Sequence, residues 1–402
     1  MHTQLVVLGG GPGGYAAAFL AADEGLEVTL VESESKLGGT CLLRGCIPSK
    51  ALLHVARVIQ EVDELRSDWG VQYSPPEVDV NAVRARKDKV IQTLSGGLKQ
   101  LAKRRKVRVI QARGRFTDSR TLQLDGDHGS IPDDGQLTFD HAIIATGSVP
   151  AMPDAFAIDS DRVMDSTTAL RLQDVPASML VIGGGYIGLE MGTVYASLGS
   201  EVSVVELTDG LLPGVDRDLV KPLQQKLNNL FDGRIFLNTK VGSLGNRGDQ
   251  VEVAFEGPDK YGVEQFDRVL VSVGRRPNSD QLGLENTQVA IGDRGFIDCD
   301  AQQRTADPTI YAIGDVAGEP MLAHKASHEG KVAVEAILGR GVAFDPLAIP
   351  AVVFTDPEIA WAGLSEIDAE RQGREIRIVV YPWAASGRAH AIGRIDGLTK
   401  WI

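Results

Sequence analysis

The stretch that decides the fold reads LGGGPGGYAAAFLAADEGLEVTLVE and runs from Leu8 to Glu32. An apolar run leads into three glycines, an Ala-rich segment follows, and a second apolar run ends at Glu32. This order predicts strand, tight turn, helix and strand. A glycine turn that opens a helix presents backbone N–H groups and the positive end of the helix dipole, which suits a dinucleotide pyrophosphate. The acid about 20 positions on then accepts hydrogen bonds from a ribose.

The same pattern recurs as IGGGYIGLEMGTVYASLGSEVSVVE from Ile182 to Glu206, aligned with the first copy without a gap. A lone glycine motif is weak evidence, but two copies with the full strand and acid context predict two dinucleotide sites. The alternative is that one copy is a fold element without a ligand. The glycines that turn the chain, admit the pyrophosphate and pack the helix, and the acids, are Gly9, Gly11, Gly14 and Glu32, then Gly183, Gly185, Gly188 and Glu206.

Two of the three cysteines lie just after the first copy, in GGTCLLRGCIPSK from Gly38 to Lys50. Five helical residues rise about 7.5 Å, whereas a disulfide needs Cα atoms within about 7 Å. Cys41 and Cys46 could therefore pair only across a distorted turn, which Gly45 would permit. Two buried thiols or half of a metal site are the alternatives, although a zinc site would usually bring a CxxC spacing and further ligands.

The two dinucleotides are expected to differ. A cofactor beside reactive thiols must accept two electrons and pass them on, which favours a flavin at the first copy and a nicotinamide at the second. Glu206 favours NAD over NADP, because a carboxylate would repel a 2′-phosphate and Leu207-Thr208-Asp209 brings no base.

Composition limits the partners and the compartment. The net charge of −13 argues against general binding of nucleic acid or of an anionic membrane. No long apolar run predicts a transmembrane helix, and the chain enters a strand at once, without a leader pattern. Three cysteines do not make a secreted disulfide scaffold, so a cytoplasmic protein with a catalytic disulfide is expected. Cys299 lies in FIDCD at 296–300, which resembles a strand, and is interpreted as structural.

Further motifs follow in a fixed order along nearly the whole chain: ATGS at 145–148, GGGYIGLE at 183–190, VGRRPN at 273–278, IGDV at 313–316, LAHKA at 322–326, FTDPE at 354–358 and YPWAASGRA at 381–389. With the cysteine segment, this order resembles the flavoprotein disulfide reductases, and within them the dihydrolipoamide dehydrogenase branch. The resemblance implies an α/β fold with two Rossmann-like dinucleotide-binding domains, for FAD and NAD, and the start of an α+β interface domain.

The resemblance also implies boundaries. The FAD domain would take residues 1–149 and 272–340, the NAD domain 150–271, and a partial interface or dimerisation domain 346–402. Within these, a helix is predicted from about Pro48 to Leu65 and another from about Val80 to Arg105, with Asp79 as its N-cap. Strands are predicted between Val107 and Asp140, with a turn region at 125–135.

Roles carried over by resemblance are unequal for the two cysteines. Cys41 would exchange with a substrate dithiol, and Cys46 would be the thiolate that faces the flavin. Lys50 would lie near the flavin and pair with Glu190, although it could also be an exposed helix residue. Tyr186 would cover the flavin until the nicotinamide arrives, although it could be core packing. Further cofactor residues would be Thr146, Gly147, Gly314, Asp315 and Ala323 for FAD, and Ile187 and Gly274 for NAD, although Asp315 could be only an Asx-turn residue.

The resemblance predicts an FAD-dependent enzyme that oxidises dihydrolipoamide, or a lipoyl domain, and reduces NAD. It further predicts a homodimer and a 2-oxoacid dehydrogenase complex as partner. The family carries a His-Pro…Glu segment near its end, and the sequence stops at Lys400-Trp401-Ile402 before it, so impaired dithiol chemistry and weakened dimerisation are expected. The alternatives are a glutathione-type or mercuric reductase, a diaphorase that does not use the cysteines, and a non-catalytic flavin-bearing scaffold.

Overall fold

The computed structural model describes residues 1–126 and 131–402, and part of the turn region predicted at 125–135 lies outside them. The strands are β1 (His2–Leu8), β2 (Val28–Glu32), β3 (Arg108–Gln111), β4 (Arg113–Asp118), β5 (Thr121–Asp125), β6 (Gln136–Ile144), β7 (Ser148–Pro150), β8 (Val163–Met164), β9 (Ser178–Ile182), β10 (Glu201–Val205), β11 (Ile235–Phe236), β12 (Lys240–Arg247), β13 (Gln250–Glu256), β14 (Tyr261–Phe266), β15 (Arg268–Val271), β16 (Arg275–Pro277), β17 (Ile310–Ala312), β18 (Ala351–Val353), β19 (Ile359–Trp361), β20 (Val379–Pro382) and β21 (Leu398–Trp401).

The helices are α1 (Pro12–Asp23), α2 (Gly39–Arg44), α3 (Cys46–Asp68), α4 (Val80–Arg104), α5 (Ser166–Ala169), α6 (Tyr186–Ser197), α7 (Arg217–Leu230), α8 (Ala323–Ile337), α9 (Glu366–Arg371) and α10 (Gly387–Ala391). The two long helices predicted from the sequence are confirmed as α3 and α4. Asp79 caps α4, since its Oδ1 accepts the N–H groups of Asn81 at 2.9 Å and Ala82 at 3.2 Å.

The chain forms two units, the first of which comprises Met1–Pro48, Asp88–Val149 and Arg275–Pro346. Its sheet has the order β3-β2-β1-β6-β5-β4, with β17 also paired to β6. The β1–β2, β1–β6, β2–β3 and β6–β17 pairs are parallel. Successive residues of β1 serve two cores: Leu5 and Val7 belong to the cluster of α1 and α8, while Val6 and Leu8 pack with Phe116 and other strand residues. Burial on both faces is typical of a parallel sheet between two layers.

The second unit comprises Ser49–Lys87, Pro150–Gly274 and Leu347–Ile402. Its parallel sheet has the order β11-β10-β9-β15-β8. Met179 and Val181 of β9 pack in the cluster that contains α6 and α7, whereas Leu180 and Ile182 pack against the antiparallel β12-β13-β14 sheet. Each unit thus places one glycine turn at the carboxyl end of a buried parallel strand, which is where ligands bind in such sheets.

Ion pairs join the C-terminal segment of the second unit to the residues that precede it. Lys226 Nζ lies 2.6 Å from Asp356 Oδ2. The Lys400 ammonium, with 3% of its side chain exposed, contacts three carboxylates: Asp216 at 2.9 Å, Asp218 at 2.6 Å and Glu366 at 2.5 Å. Because desolvation offsets most of the attraction in buried pairs, these contacts define the packing more than they increase stability.

The strand predicted around Cys299 is wrong. Only an isolated bridge between Ile291 and Ile297 forms there, and the residues that follow turn away. Asp300 Oδ1 accepts the N–H groups of Gln302 at 2.8 Å and Arg304 at 2.9 Å, so a local Asx turn replaces the ladder. Across the residues that are described, no helix combines the length and apolar character needed to cross a bilayer.

Candidate functional site

The first glycine turn joins β1 to α1. Gly9 has φ of +112°, and a Cβ on Gly14 would overlap the Gly9 carbonyl oxygen, so both positions require glycine. At Gly11 the nearest described atom to an added Cβ would be the Gly39 Cα, at 3.7 Å. The turn is therefore closed where the helix packs and open at Gly11, which fits the approach of a pyrophosphate to the helix N-terminus.

Glu32 is buried beneath the backbone of this turn, with 8% of its surface exposed. Its Oε2 accepts the Gly10 N–H at 2.7 Å, and its Oε1 accepts the Glu34 N–H at 2.9 Å. A carboxylate offers about four acceptor sites, so capacity remains for ribose hydroxyls. Glu32 can therefore shape the turn and bind a ribose at once, and the sequence pattern indicated only the second of these roles.

The cysteine segment is attached directly to this turn. Gly38 N donates to Gly10 O at 2.9 Å, and an added Cβ on Gly39 would lie 2.5 Å from the Gly11 Cα. Cys41 lies in α2 and Cys46 begins α3, and both are half-buried. The two thiols are thus brought to the dinucleotide turn by backbone contacts that only glycine allows.

The helix breaks at Gly45, between the two cysteines. Their five-residue spacing predicted such a break if they were to form a disulfide. Gly45 has φ of −148° and ψ of −112°, and an added Cβ would lie 2.9 Å from the Thr40 carbonyl oxygen. Tyr15 of α1 also lies within electrostatic range of the thiols: burial raises the pKa of Tyr15, and charge on Cys41 and Cys46 raises it further. Sequence reasoning did not single out Tyr15.

A second part of the first unit surrounds Asp315, in the 3-10 turn Gly314–Val316. Ser148 Oγ donates to Asp315 Oδ2 at 2.5 Å, and Arg275 Nε donates to Ser148 Oγ at 2.8 Å. Ser148 and Arg275 stand in the motifs recognised from the sequence, but their contact with Asp315 depends on long-range folding. Asp315 has a defined partner and an acceptor group with remaining capacity, which fits a sugar-alcohol chain.

The segment at Thr146 and Gly147 and the segment at Asn278 are joined by hydrogen bonds. Thr146 Oγ1 donates to Asn278 O at 2.8 Å, and Asn278 N donates to Gly147 O at 2.9 Å. Gly147 has φ of +72°, and no described atom lies within 4 Å of where its Cβ would be. Ala323 is the first residue of α8, which follows the Asp315 turn.

The second glycine turn repeats the first in the second unit. Gly183 has φ of +106°, an added Cβ on Gly188 would overlap the Gly183 carbonyl oxygen, and no described atom lies within 4 Å of an added Cβ on Gly185. Glu206 Oε2 accepts the Gly184 N–H at 2.7 Å, and its Oε1 accepts the Thr208 N–H at 2.8 Å. The same fit to a dinucleotide therefore holds here.

The residues beside this turn differ in exposure. Tyr186, the first residue of α6, is 44% exposed, so it is not core packing, while Ile187 is half-buried. Leu207, next to Glu206, is 68% exposed. Gly274 follows β15 with φ of +136°, and among the described residues no atom lies within 4 Å of its added Cβ.

Glu190 of α6 lies at the centre of a buried polar group. Its Oε1 accepts the Phe354 N–H at 3.1 Å, and Ser49 also hydrogen-bonds to it. Burial raises the pKa of Glu190, although the Phe354 N–H, the Lys50 charge and the Ser49 hydroxyl each lower it. Lys50 Nζ lies 3.6 Å from the centre of the Phe354 ring, a cation–π contact. Lys50 is thus oriented by an aromatic ring that sequence reasoning did not assign to it.

A cavity of about 280 Å³ opens beside Lys50 and Phe354 in the second unit. Its lining is mixed, with polar and charged side chains, among them Arg57, Gln60 and Asp356, beside the apolar groups of Leu53 and Phe354. On this side of α3, His54, Arg57 and Gln60 bring polar and charged groups to the cavity, whereas Leu52 and Ala56 of the same helix are buried in the core of the second unit.

Two dinucleotide turns, one of them fastened to a cysteine pair, define a class of two-cofactor thiol oxidoreductases. Comparison with protein families agrees: the profile described as "Pyridine nucleotide-disulphide oxidoreductase" matches residues 3–330, and that family's dimerisation domain matches residues 349–402. The chain belongs to the pyridine nucleotide-disulphide oxidoreductase family.

Among similar curated proteins is the dihydrolipoyl dehydrogenase of Vibrio cholerae, 46% identical over 403 residues, which covers 100% of this chain and 83% of that protein. The dihydrolipoyl dehydrogenase of Haemophilus influenzae is also 46% identical, with the same coverage. Among solved structures, LpdA of Mycobacterium tuberculosis has a TM-score of 0.88 at 28% identity, covering 99% of this chain and 86% of that one. The HOCl-induced flavoprotein disulfide reductase RclA of Escherichia coli has a TM-score of 0.85 at 28% identity, with the same coverage.

These comparisons confirm several predictions: the α/β fold with a Rossmann-like core, the flavoprotein disulfide reductase family, an oxidoreductase enzyme, and the use of FAD and NAD. The domain boundaries and the roles of individual site residues stay predictions. The contacts of the two glycine turns, the cysteine segment and the Asp315 turn support the residue roles.

Proposed function

We propose that the protein is a dihydrolipoyl dehydrogenase, which oxidises the dithiol of dihydrolipoamide or of a lipoyl domain and reduces NAD. The observation that carries this proposal is the attachment of the cysteine segment to the first glycine turn, through the Gly38–Gly10 hydrogen bond and the Gly39–Gly11 contact. A thiol pair held there lies beside any dinucleotide whose pyrophosphate occupies the turn. The similarity to curated dihydrolipoyl dehydrogenases supports the dithiol as substrate.

The overall reaction converts the dithiol and NAD⁺ to the cyclic disulfide, NADH and one proton. A substrate thiolate attacks Cys41 Sγ, the Cys41–Cys46 disulfide breaks, and Cys46 leaves as a thiolate. The second substrate thiolate then attacks the substrate sulfur of the mixed disulfide, which closes the lipoamide ring and releases Cys41. A flavin held at the first glycine turn would accept two electrons as Cys41 and Cys46 re-form their disulfide, and it would supply the hydride for NAD.

We propose that FAD is held by Lys50 and by residues of the first unit at the first glycine turn, the Asp315 turn and the segments beside it. These residues are Gly9, Gly11, Gly14, Glu32, Thr146, Gly147, Gly314, Asp315 and Ala323. Those proposed to hold NAD line the second turn: Gly183, Gly185, Tyr186, Ile187, Gly188, Glu206 and Gly274. We propose that Lys50 and Glu190 act as a charge pair. The Lys50 ammonium, which lies over the Phe354 ring, stabilises the charged form of the buried Glu190 carboxyl.

The proposal extends to organisation and partners. The FAD domain takes 1–149 and 272–340, the NAD domain 150–271 and the interface domain 346–402, the last supported by the match to a dimerisation domain at 349–402. We propose a homodimer that serves a 2-oxoacid dehydrogenase complex in the cytoplasm. The net charge of −13 disfavours nucleic acid and anionic membranes as partners.

Anaerobic titration of the FAD-loaded protein with dihydrolipoamide tests the proposal. One equivalent should bleach the oxidised flavin band, and NAD⁺ should restore it with release of NADH. Oxidised glutathione or Hg²⁺ as the only oxidant of the NADH-reduced enzyme would point to the rival reductases. No bleaching by any dithiol would leave a flavin-bearing scaffold, and an NADH-dependent reaction with artificial acceptors alone would leave a diaphorase.

The carboxylate of Glu206 should make the enzyme prefer NADH. With 8% of Glu206 exposed and no base at the 68%-exposed Leu207, a 2′-phosphate would meet a poorly screened negative charge. We expect kcat/KM for NADH to exceed that for NADPH by about 100-fold, roughly 2.7 kcal/mol, and the ratio to shrink about tenfold in Glu206→Gln. Asp209→Asn, an exposed neighbour with the same charge change, is the control. Equal use of both coenzymes by the unaltered protein would refute the assignment.

A further inference from the structure

The first unit contains a buried ion pair that the proposed chemistry does not use. Lys325 and Glu329 stand one turn apart on α8, each side chain is 5% exposed, and Nζ lies 2.7 Å from Oε1. Removing two charges from water costs about as much as their attraction returns, so a pair of this kind is weak evidence for stability. The other bonds of the two groups therefore indicate what the pair does.

Those bonds hold the turn at 314–318 at both ends. Glu329 Oε2 accepts the Gly314 N–H at 2.7 Å, and Lys325 Nζ donates to the Gly318 carbonyl oxygen at 3.1 Å. Asp315 lies between these two points, and its charge is close enough to raise the pKa of Glu329, after the larger effect of burial. One ion pair thus fixes the backbone on either side of the residue assigned to the flavin.

The turn needs such support because its own ends are permissive. Gly314 has φ of +75° and Gly318 has φ of +159°, conformations that glycine enters and leaves at little cost. Within the turn, Ala317 N donates to Gly314 O at 3.0 Å. The side chain of Asp315 is held separately by Ser148 Oγ at 2.5 Å, so the backbone and the side chain have different anchors.

We propose that Lys325 and Glu329 are positioning residues, which hold the 314–318 turn so that Asp315 is oriented for FAD and the cofactor is retained. The inference rests on the proposed role of Asp315 in holding the flavin. Its physical basis is pre-organisation. A site that its own protein contacts already order loses less conformational entropy when the ligand binds, so binding is tighter.

A double-mutant cycle in the FAD-loaded protein separates positioning from stability. Lys325→Met and Glu329→Gln each leave one buried charge without its partner, so both should lower the melting temperature and speed FAD release, which is followed by flavin fluorescence. The double variant removes both charges and keeps an acceptor for Gly314 N–H, so its melting temperature should return towards that of the unaltered protein. Because the Gly318 oxygen still lacks its donor, the FAD dissociation constant should stay raised by about tenfold.

Recovery of FAD affinity together with melting temperature in the double variant would overturn the proposal, as would unchanged FAD release in single variants that fold. The exposed pair Arg276 and Asp280, which has the same four-residue spacing in sequence, provides the control, and Arg276→Met with Asp280→Asn should leave FAD release unchanged. Asp315→Ala distinguishes the proposed role of Asp315 from the positioning role of the ion pair. Unaltered FAD affinity there would refute the role of Asp315 itself, whereas weakened affinity with a silent ion-pair cycle would refute only the positioning.

Discussion

Cys46→Ser should lower dihydrolipoamide oxidation by about 10³-fold or more while FAD stays bound, because serine cannot act as the leaving thiolate in the exchange. The same substitution should abolish the long-wavelength absorption of a thiolate–flavin complex in the two-electron-reduced enzyme. Cys41→Ser should lose dithiol oxidation to a similar extent but keep that absorption band. The two spectra, together with steady-state assays, check the unequal roles.

Cys299→Ser is the matched control, since it removes the remaining thiol. Burial raises the pKa of Cys299 to about 11, so at neutral pH its thiolate is scarce and the residue cannot compete in exchange. This variant should keep both turnover and spectrum. A thiolate–flavin band that survived in Cys46→Ser would reverse the assignment of the two cysteines, and turnover that survived in both single variants would indicate chemistry without the pair.

Gly185→Ala should fold normally and lose about 100-fold in NAD affinity. Gly185 has φ of −77° and ψ of 172°, a conformation that alanine adopts, and no described atom lies within 4 Å of the added Cβ. The methyl group would instead occupy the space that the proposed pyrophosphate needs, and overpacking of this kind costs roughly 1–3 kcal/mol. Reduction of bound FAD by dihydrolipoamide should be unaffected. Binding titrations with NADH and stopped-flow reduction separate the two half-reactions.

Gly96→Ala provides the control for the mutation type. Gly96 is exposed inside α4, and no described atom lies within 4 Å of its added Cβ. Alanine there should leave NAD binding unchanged and stabilise the fold by about 0.5–1 kcal/mol, because glycine is a poor helix residue. Wild-type NAD affinity in a folded Gly185→Ala protein would show that the coenzyme does not approach this part of the turn.

Local sequence patterns predicted the parts of the site that are built from neighbours in the chain. The glycine spacing located the starts of α1 and α6, the acid at the end of each second strand marked Glu32 and Glu206, and Asp79 located the start of α4. The five-residue cysteine spacing required a break, and the helix does break at Gly45. These signals work because turns, caps and close backbone approaches depend on single residue types.

Contacts between distant segments could not be predicted in this way. Lys50 is oriented by Phe354, more than 300 residues away in sequence, and Ser148 reaches Asp315 only after β7 and the 314–316 turn have come together. The Lys325–Glu329 spacing was visible as an i, i+4 pair, but most such pairs are exposed, and nothing local indicated burial. The strand predicted at Cys299 failed for the opposite reason, since a short apolar alternation yielded to an Asp-centred turn.

The contact between Gly11 and Gly39 has a consequence for how this chain can vary. One glycine belongs to the turn proposed for FAD and the other to the cysteine segment, and a side chain on Gly39 would enter the backbone of Gly11. A substitution at Gly39 therefore changes the nucleotide turn and the thiol pair together, whereas an added Cβ on Gly11 would meet Gly39 only at an ordinary contact distance. Gly39 should resist replacement in a library of variants selected for flavin retention alone as strongly as in a library selected for dithiol exchange, so neither property can be tuned at this position independently of the other.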